Sequence, residues 1–326
     1  MILGAGFSYV GGLPLTRDLF DLSAPLPRAQ SDTSVENHHS VRAAYSRASS
    51  RGAVNAEQWL AELYATRANP LQRLSTGTTW DAAVRYALAR LIELPAGSNS
   101  HYYYGIGSYR CHPVHEAFWT RLEQYGAKYI ITLNYDMLVE QALHSTPSKH
   151  RAAPRCRYGG FQHVQVVRKL KDVVTKQEEL LRLGDDFVLY KLHGSVNWAW
   201  EPHSPTLKIH QDVRAVFRAD NKYGVPAIVP PIPEKEMPQE FGQVWNEARK
   251  VLSECDTWVV CGYSLPSYDK ALADFFGDIL RSRATTRLTI LDPCSSAVAS
   301  KWETLGANIT CRTLPGLPDA LNFAWL

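Results

Sequence analysis

Residues 257–292 read TWVVCGYSLPSYDKALADFFGDILRSRATTRLTILD. An apolar run, TWVVCG at 257–262, leads into DKALADFFGDILR at 269–281, where apolar residues recur every three to four positions, and then into RLTILD at 287–292. Short continuous apolar runs describe strands covered on both faces, and the helical spacing between them describes a crossover. Such a βαβ unit commits the fold to a parallel sheet, because parallel strands need a long connection.

The same alternation extends in both directions. FGQVWNEARKVLSE at 241–254 has helical spacing; 295–305 reads as helix, 307–313 as strand and 317–325 as helix. Upstream, FVLYKL at 187–192 and KYIITL at 128–133 are strand-like, MLVEQALH at 137–144 is helical, and PAIVPP at 226–231 is a short apolar stretch ending in prolines. The chain opens MILGAGFSYVGGLP, with three apolar residues before a Gly-Ala-Gly turn. These elements predict an α/β fold, a Rossmann-like parallel sheet flanked by helices. Residues 36–125 differ: AEQWLAELYATR, TWDAAVRYALARLIEL and VHEAFWTRLEQYG are amphipathic with no strand between them. They predict a helical insertion at 36–125 within a Rossmann-like domain made of 1–35 and 126–326. Residues 95–110 form a Tyr- and Gly-rich loop, and 145–184 is read as an irregular, basic surface stretch.

Bulk properties narrow the function classes. In 326 residues, 45% are apolar and the net charge is +3, too mild for a nucleic-acid footprint. No run of about 18 apolar residues occurs, so no membrane span is expected. The first residues lack the basic and long apolar segments of a secretory signal, so a cytoplasmic location is expected. The six cysteines form no Cys-x-x-Cys pair, and Cys255 and Cys261 are expected to be buried thiols.

In open parallel sheets, ligands bind beyond the carboxyl ends of the strands. Those ends carry Gly4-Ala5-Gly6-Phe7-Ser8, Thr132-Leu133-Asn134-Tyr135-Asp136, Lys191-Leu192-His193-Gly194-Ser195, Gly262-Tyr263-Ser264-Leu265-Pro266, and Asp292-Pro293. The glycine turn is not a dinucleotide fingerprint, since Tyr9 stands where G-x-G-x-x-G needs its third glycine. It is read either as a phosphate cradle or as a plain tight turn, with Thr16 and Asp18 suited to start a helix after Pro14. A neutral histidine such as His193 can accept a proton near neutral pH, and Asn134 can donate and accept hydrogen bonds without adding charge. Asp136 suits both an amide-accepting role and an N-cap, and Ser264 and Asp292 suit both adenosine contacts and caps.

Taken in order, GAGFS, GGLP, TLNYD, KLHGS, GYSLPSYD and LDP resemble the sirtuin family of NAD-consuming enzymes, over roughly 1–20 and 127–295. The closer likeness is to the sirtuin-like branch of bacterial anti-phage defence. The resemblance implies that Asn134 and Asp136 position nicotinamide and its ribose, and that His193 is the catalytic histidine. It assigns Gly4, Ala5, Gly6, Ser8, Pro14, Gly194, Gly262, Ser264 and Asp292 to NAD binding. Protein-deacylating sirtuins carry a four-cysteine zinc module after the histidine, but GSVNWAWEPHSPTLKIHQD has no cysteine, and Leu133 stands where deacylases commonly have glutamine. No zinc is therefore expected, and water becomes the natural acceptor. The implied reaction is hydrolysis of NAD to nicotinamide and ADP-ribose, in an NAD-depleting effector acting by abortive infection. The alternatives are a deacylase or ADP-ribosyltransferase, and a non-catalytic NAD or ADP-ribose sensor.

Restraint of such an activity is expected from homo-oligomerisation or a separate protein, such as a ring-shaped ATPase or an argonaute-like partner. Trp59, Trp80 and Trp119 in the insertion are read as contact surface or, alternatively, as packing for a helical core. Members of the resembled family have about five apolar residues before the glycine turn. The first strand is therefore expected either to lack residues upstream or to be short, with its register held by neighbours.

Overall fold

The computed structural model describes residues 1–9, 15, 20, 33–50, 56–66, 79–93, 113–124, 126–140, 156–161, 165–167, 187–200, 207–210, 224–230, 239–267, 269–306 and 308–316. Elements are numbered along these residues. The strands are β1 (Ile2–Leu3), β2 (Tyr129–Thr132), β3 (Cys156–Tyr158), β4 (Gln165–Val167), β5 (Phe187–Lys191), β6 (Gly194–Trp200), β7 (Leu207–His210), β8 (Val225–Ile228), β9 (Thr257–Cys261), β10 (Thr286–Leu291) and β11 (Ile309–Leu314). The helices are α1 (Ala5–Tyr9), α2 (Thr33–Ser49), α3 (Ala56–Thr66), α4 (Trp80–Glu93), α5 (Pro113–Gln124), α6 (Gln239–Glu254), α7 (Lys270–Arg281) and α8 (Ser295–Glu303).

Seven strands form one sheet in the order β11-β10-β9-β1-β2-β5-β3, and its pairings are parallel. This is the α/β arrangement expected from the alternating pattern, a parallel sheet flanked by helices. β1 is two residues long yet central: Ile2 pairs with Ile131 and Val260, and Leu3 with Thr132 and Cys261. The chain builds outward from β1 through β2 and β5, then returns to the other side of β1 with β9, β10 and β11. The strand order therefore reverses between β1 and β9, and such a switch point opens a crevice at the strand ends.

Because side chains alternate along a strand, the sheet has two buried faces. Leu3, Ile130, Leu189 and Val259 belong to one core with residues of α2, α3, α4 and α5, among them Val41, Trp59, Ala83, Phe118 and Trp119. Ile2, Ile131, Val188 and Val260 belong to the other, with α6, α7 and α8. On α7, Leu272, Phe275, Phe276, Ile279 and Leu280 recur at helical spacing and are buried. Each such side chain contributes about 1.5–3 kcal/mol on burial.

A second, four-stranded sheet, β4-β7-β6-β8, was not foreseen from sequence. β6 pairs antiparallel with β7 and with β8, and β4 pairs parallel with β7. α4 packs against this sheet: Tyr86 donates its hydroxyl to Gly224 O at 2.7 Å, and the Arg85 guanidinium lies 5.1 Å from the Trp200 ring centre.

Several expectations need correction. The stretch 145–184 is not wholly irregular, since it holds β3 at the edge of the main sheet and β4 in the small one. Trp59 and Trp119 are not contact surface. Trp59 is enclosed by Phe20 and Tyr45, and Trp119 by Phe7, Phe118 and Phe187. A five-residue helix, α1, begins at Ala5 within the glycine stretch itself. Pro14, Thr16, Asp18, the Tyr- and Gly-rich loop and the helix expected at 317–325 lie outside the described residues, as does the side chain of Trp80.

The early helix start follows from close packing at the switch point. Gly4 N donates to Cys261 O at 3.0 Å and Gly6 N to Gly262 O at 2.9 Å. A Cβ on Gly4 would lie 2.5 Å from Gly262 O, and one on Gly6 2.8 Å from Gly262 Cα. Gly262 itself has φ 64, and a Cβ there would lie 2.2 Å from Phe7 N. Gly262→Ala therefore combines a left-handed backbone with overpacking and should cost about 2–5 kcal/mol. Gly242, in α6 with nothing within 4 Å of a Cβ, should instead gain about 0.5–1 kcal/mol as Gly242→Ala. Denaturant unfolding of the two variants checks both signs.

Candidate functional site

The strand-end residues singled out in the sequence meet around the end of β2. Asn134 follows that strand and donates from Nδ2 to Gly4 O at 2.8 Å and to Ser8 Oγ at 2.7 Å. Ser8 in turn donates to Asp136 Oδ2 at 2.6 Å. Asp136 Oδ1 accepts from the backbone N of Leu138 at 2.9 Å, capping the helix that starts there. One directed chain, Asn134 to Ser8 to Asp136, thus joins the first loop to the second.

This arrangement sharpens two roles. Both amide hydrogens of Asn134 are committed to protein acceptors, and the Gly4 carbonyl fixes which end of the amide faces it. Asn134 therefore keeps Oδ1, an acceptor, as the amide atom it can offer a ligand, while its donors serve the protein. Asp136 is buried with each carboxylate oxygen hydrogen-bonded within the protein, so its helix-capping role is realised.

The third loop lies alongside. Val196 N and Ser195 Oγ donate to Tyr135 O at 2.9 and 3.2 Å, and the Tyr135 ring centre is 6.2 Å from that of His193. His193 is buried in the turn between β5 and β6, and its backbone O accepts from Val229 N at 2.9 Å. Tyr135 donates its hydroxyl to Val229 O at 2.7 Å, so the β8 end braces both loops. Gly194 has φ 81, and a Cβ would lie 1.9 Å from Ala227 O, so this glycine admits the small sheet against the His193 turn.

The remaining sequence candidates stand apart from the hydrogen-bonded chain. Ala5 opens α1. Ser264 is exposed, and its backbone O accepts from Lys301 Nζ at 3.1 Å. Asp292 Oδ1 accepts from Cys294 N at 2.8 Å and caps the entry to α8. Burial and the nearby Asp292 carboxylate push the Cys261 thiol up, and burial with Glu303 pushes Cys311 up to about 11, which leaves both as weak nucleophiles.

Four participants were not assigned from sequence. Asp269, the last residue of GYSLPSYD, sits with Oδ2 4.0 Å from His193 Nε2. Lys191 and Glu140 form a wholly buried ion pair, Nζ to Oε1 at 2.9 Å, and Lys191 also donates to the Asp136 carbonyl. Tyr158 donates its hydroxyl to the same Glu140 oxygen at 2.8 Å. A lysine inside the apolar run FVLYKL was the available signal, because a buried ammonium requires an acidic partner.

No protein-family model matches the chain, and no curated protein does. Among solved structures it is similar to Sir2 in complex with the inhibitor EX-527, 2'-O-acetyl-ADP-ribose and a deacetylated p53 peptide. That match has 15% identity and a TM-score of 0.43, covering 99% of this chain and 89% of the other. It is also similar to Sir2 with a p53 peptide and NAD+, at 15% identity and a TM-score of 0.42, covering 99% and 88%. A sirtuin structure concerned with substrate affinity gives 16% identity and a TM-score of 0.41, covering 99% and 89%. At these values the reading of the site rests on its own residues.

Among the described residues, no helix is long and apolar enough to cross a membrane, and no group of three or more metal-ligating side chains occurs.

The Lys191–Glu140 pair underlies the Asp136 loop, and breaking it leaves a buried charge uncompensated. Lys191→Met should cost about 3–5 kcal/mol, and adding Glu140→Leu should recover a large part of that loss. Urea denaturation of the single and double variants tests this; a double variant no better than Lys191→Met would count against a paired charge.

Proposed function

We propose that the chain binds NAD at the β1/β9 switch point and hydrolyses the bond between nicotinamide and ribose. The observation that supports this most is the Asn134–Ser8–Asp136 chain beside the His193 turn, which sets one oriented acceptor and one imidazole at adjoining strand ends. Cleavage of the glycosidic C–N bond sends its electron pair to nicotinamide and leaves positive charge on the ribose. Asn134 Oδ1 accepts a hydrogen bond from a ribose hydroxyl or the attacking water. His193 takes the proton released as the water oxygen bonds to the ribose carbon. Summed, NAD and water give nicotinamide, ADP-ribose and a proton.

In this reading the backbone of Gly4, Ala5 and Gly6 approaches the diphosphate. Gly194, Gly262, Ser264, Asp292 and Pro14 contribute to the rest of the dinucleotide site. Asp136 acts by holding Ser8 and hence Asn134. The catalytic unit comprises 1–35 and 126–326, with 36–125 an insertion into it. An unrestrained activity of this kind would exhaust the cell's NAD, so the role proposed is a defence effector held in check by oligomerisation or a partner protein.

The test is nicotinamide release from NAD by the purified chain, with and without an acetylated peptide. Turnover without peptide is expected, falling about a hundredfold or more in His193→Ala and in Asn134→Ala. Turnover that requires the peptide, or that survives both substitutions, would overturn the reading.

A further inference from the structure

α7 begins in an unusual way. Asp269 occupies its N-cap position with φ −91 and ψ 60, yet its carboxylate makes no capping hydrogen bond to the helix. Aspartate is among the residues preferred at this position because its side chain accepts from the first backbone N–H groups. Its backbone does serve the helix, since Ala273 N donates to Asp269 O at 3.0 Å. The side chain instead stands with Oδ2 4.0 Å from His193 Nε2, and both residues are about 95% buried, at 4% and 5% exposure.

A carboxylate turned away from its local acceptor role and enclosed beside an imidazole needs a physical account. The positive end of the α7 dipole favours an anion at this position. Two rings also face His193: Tyr135 from the β2 end, at 6.2 Å between ring centres, and Trp245 from α6, at 6.4 Å. Trp245 is itself held by donation from Nε1 to Leu192 O at 2.9 Å. The imidazole is thus walled by rings and approached by a carboxylate, in surroundings where charge attraction is stronger than in water.

We propose that Asp269 is the positioning residue for His193. It orients the imidazole and stabilises the imidazolium formed when His193 takes the proton, without touching NAD itself. The assignment rests on the hydrolase reading for its catalytic consequence but on the geometry alone for the pairing. The proton moves from the water oxygen to an imidazole nitrogen and then to solvent.

The experiment compares the full chain with Asp269→Asn, which retains shape and capping ability and removes only the charge. Nicotinamide release, the melting temperature and the NMR titration of the His193 imidazole are measured on both. An opposite charge at this distance favours a protonated imidazole by about tenfold or more. The expected result is a kcat lower by about tenfold or more, a KM for NAD within about twofold, an unchanged melting temperature and a His193 midpoint at lower pH. An unchanged kcat, or a loss of kcat matched by a loss of melting temperature, overturns the catalytic role. An unchanged His193 midpoint overturns the pairing. If the parent chain releases no nicotinamide, the hydrolase reading fails by itself, and the imidazole midpoint still decides whether Asp269 acts on His193.

Discussion

The contact of Gly4 and Gly6 with Gly262 is the constraint on which the rest of the arrangement depends. At the switch point of a parallel sheet, the loops leaving two adjacent strands diverge only after passing side by side. Here they pass with backbone against backbone, joined by hydrogen bonds from Gly4 to Cys261 and from Gly6 to Gly262. Any side chain at these positions would force the loops apart. The spacing also sets α1, because starting the helix at Ala5 carries Ser8 to the position where it joins Asn134 to Asp136.

Around that contact the polar groups form layers rather than a scatter. The outer layer is Asn134, whose amide nitrogen is committed to Gly4 and Ser8. Behind it lie Ser8 and Asp136, and behind Asp136 the ion pair of Lys191 and Glu140 with Tyr158. Asn197 continues the series into the small sheet, accepting from Ser195 Oγ at 2.6 Å and donating to His210 O at 3.0 Å. Interiors tolerate polar groups when their partners are present, and partnered networks hold a local geometry more stiffly than apolar packing does. The network thus supports the two loops that carry Asn134 and His193.

The main sheet was legible because β2, β5, β9 and β10 are continuous apolar runs, and the helices after them have clean three-to-four spacing. The small sheet was less so. GSVNWAW does alternate, with Val196, Trp198 and Trp200 opposite Ser195, Asn197 and Ala199, but Ser195 and Asn197 are buried polar residues that make one face read as surface. β3 and β4 are three residues each in a basic stretch, too short for a period to register. At the site, residue types pointed to Asn134, Asp136 and His193, whereas Asp269 was not singled out, because local sequence cannot show where a side chain turns. The glycines were read for what they admit from outside; their neighbours inside the protein are the stronger reason for them.

The two-residue β1 has a consequence for the order of assembly. Its partners are Ile131 on one side and Val260 on the other, so it closes contacts across most of the chain. Pairings of such long range carry the largest loop-closure entropy and tend to form late. During synthesis β1 has no second neighbour until residue 261 has left the ribosome. The two halves of the sheet, β2-β5-β3 and β9-β10-β11, each hold internal pairings and helices of their own before β1 enters between them. β1 is thus the strand that joins the two halves, and the crevice at its end depends on that junction.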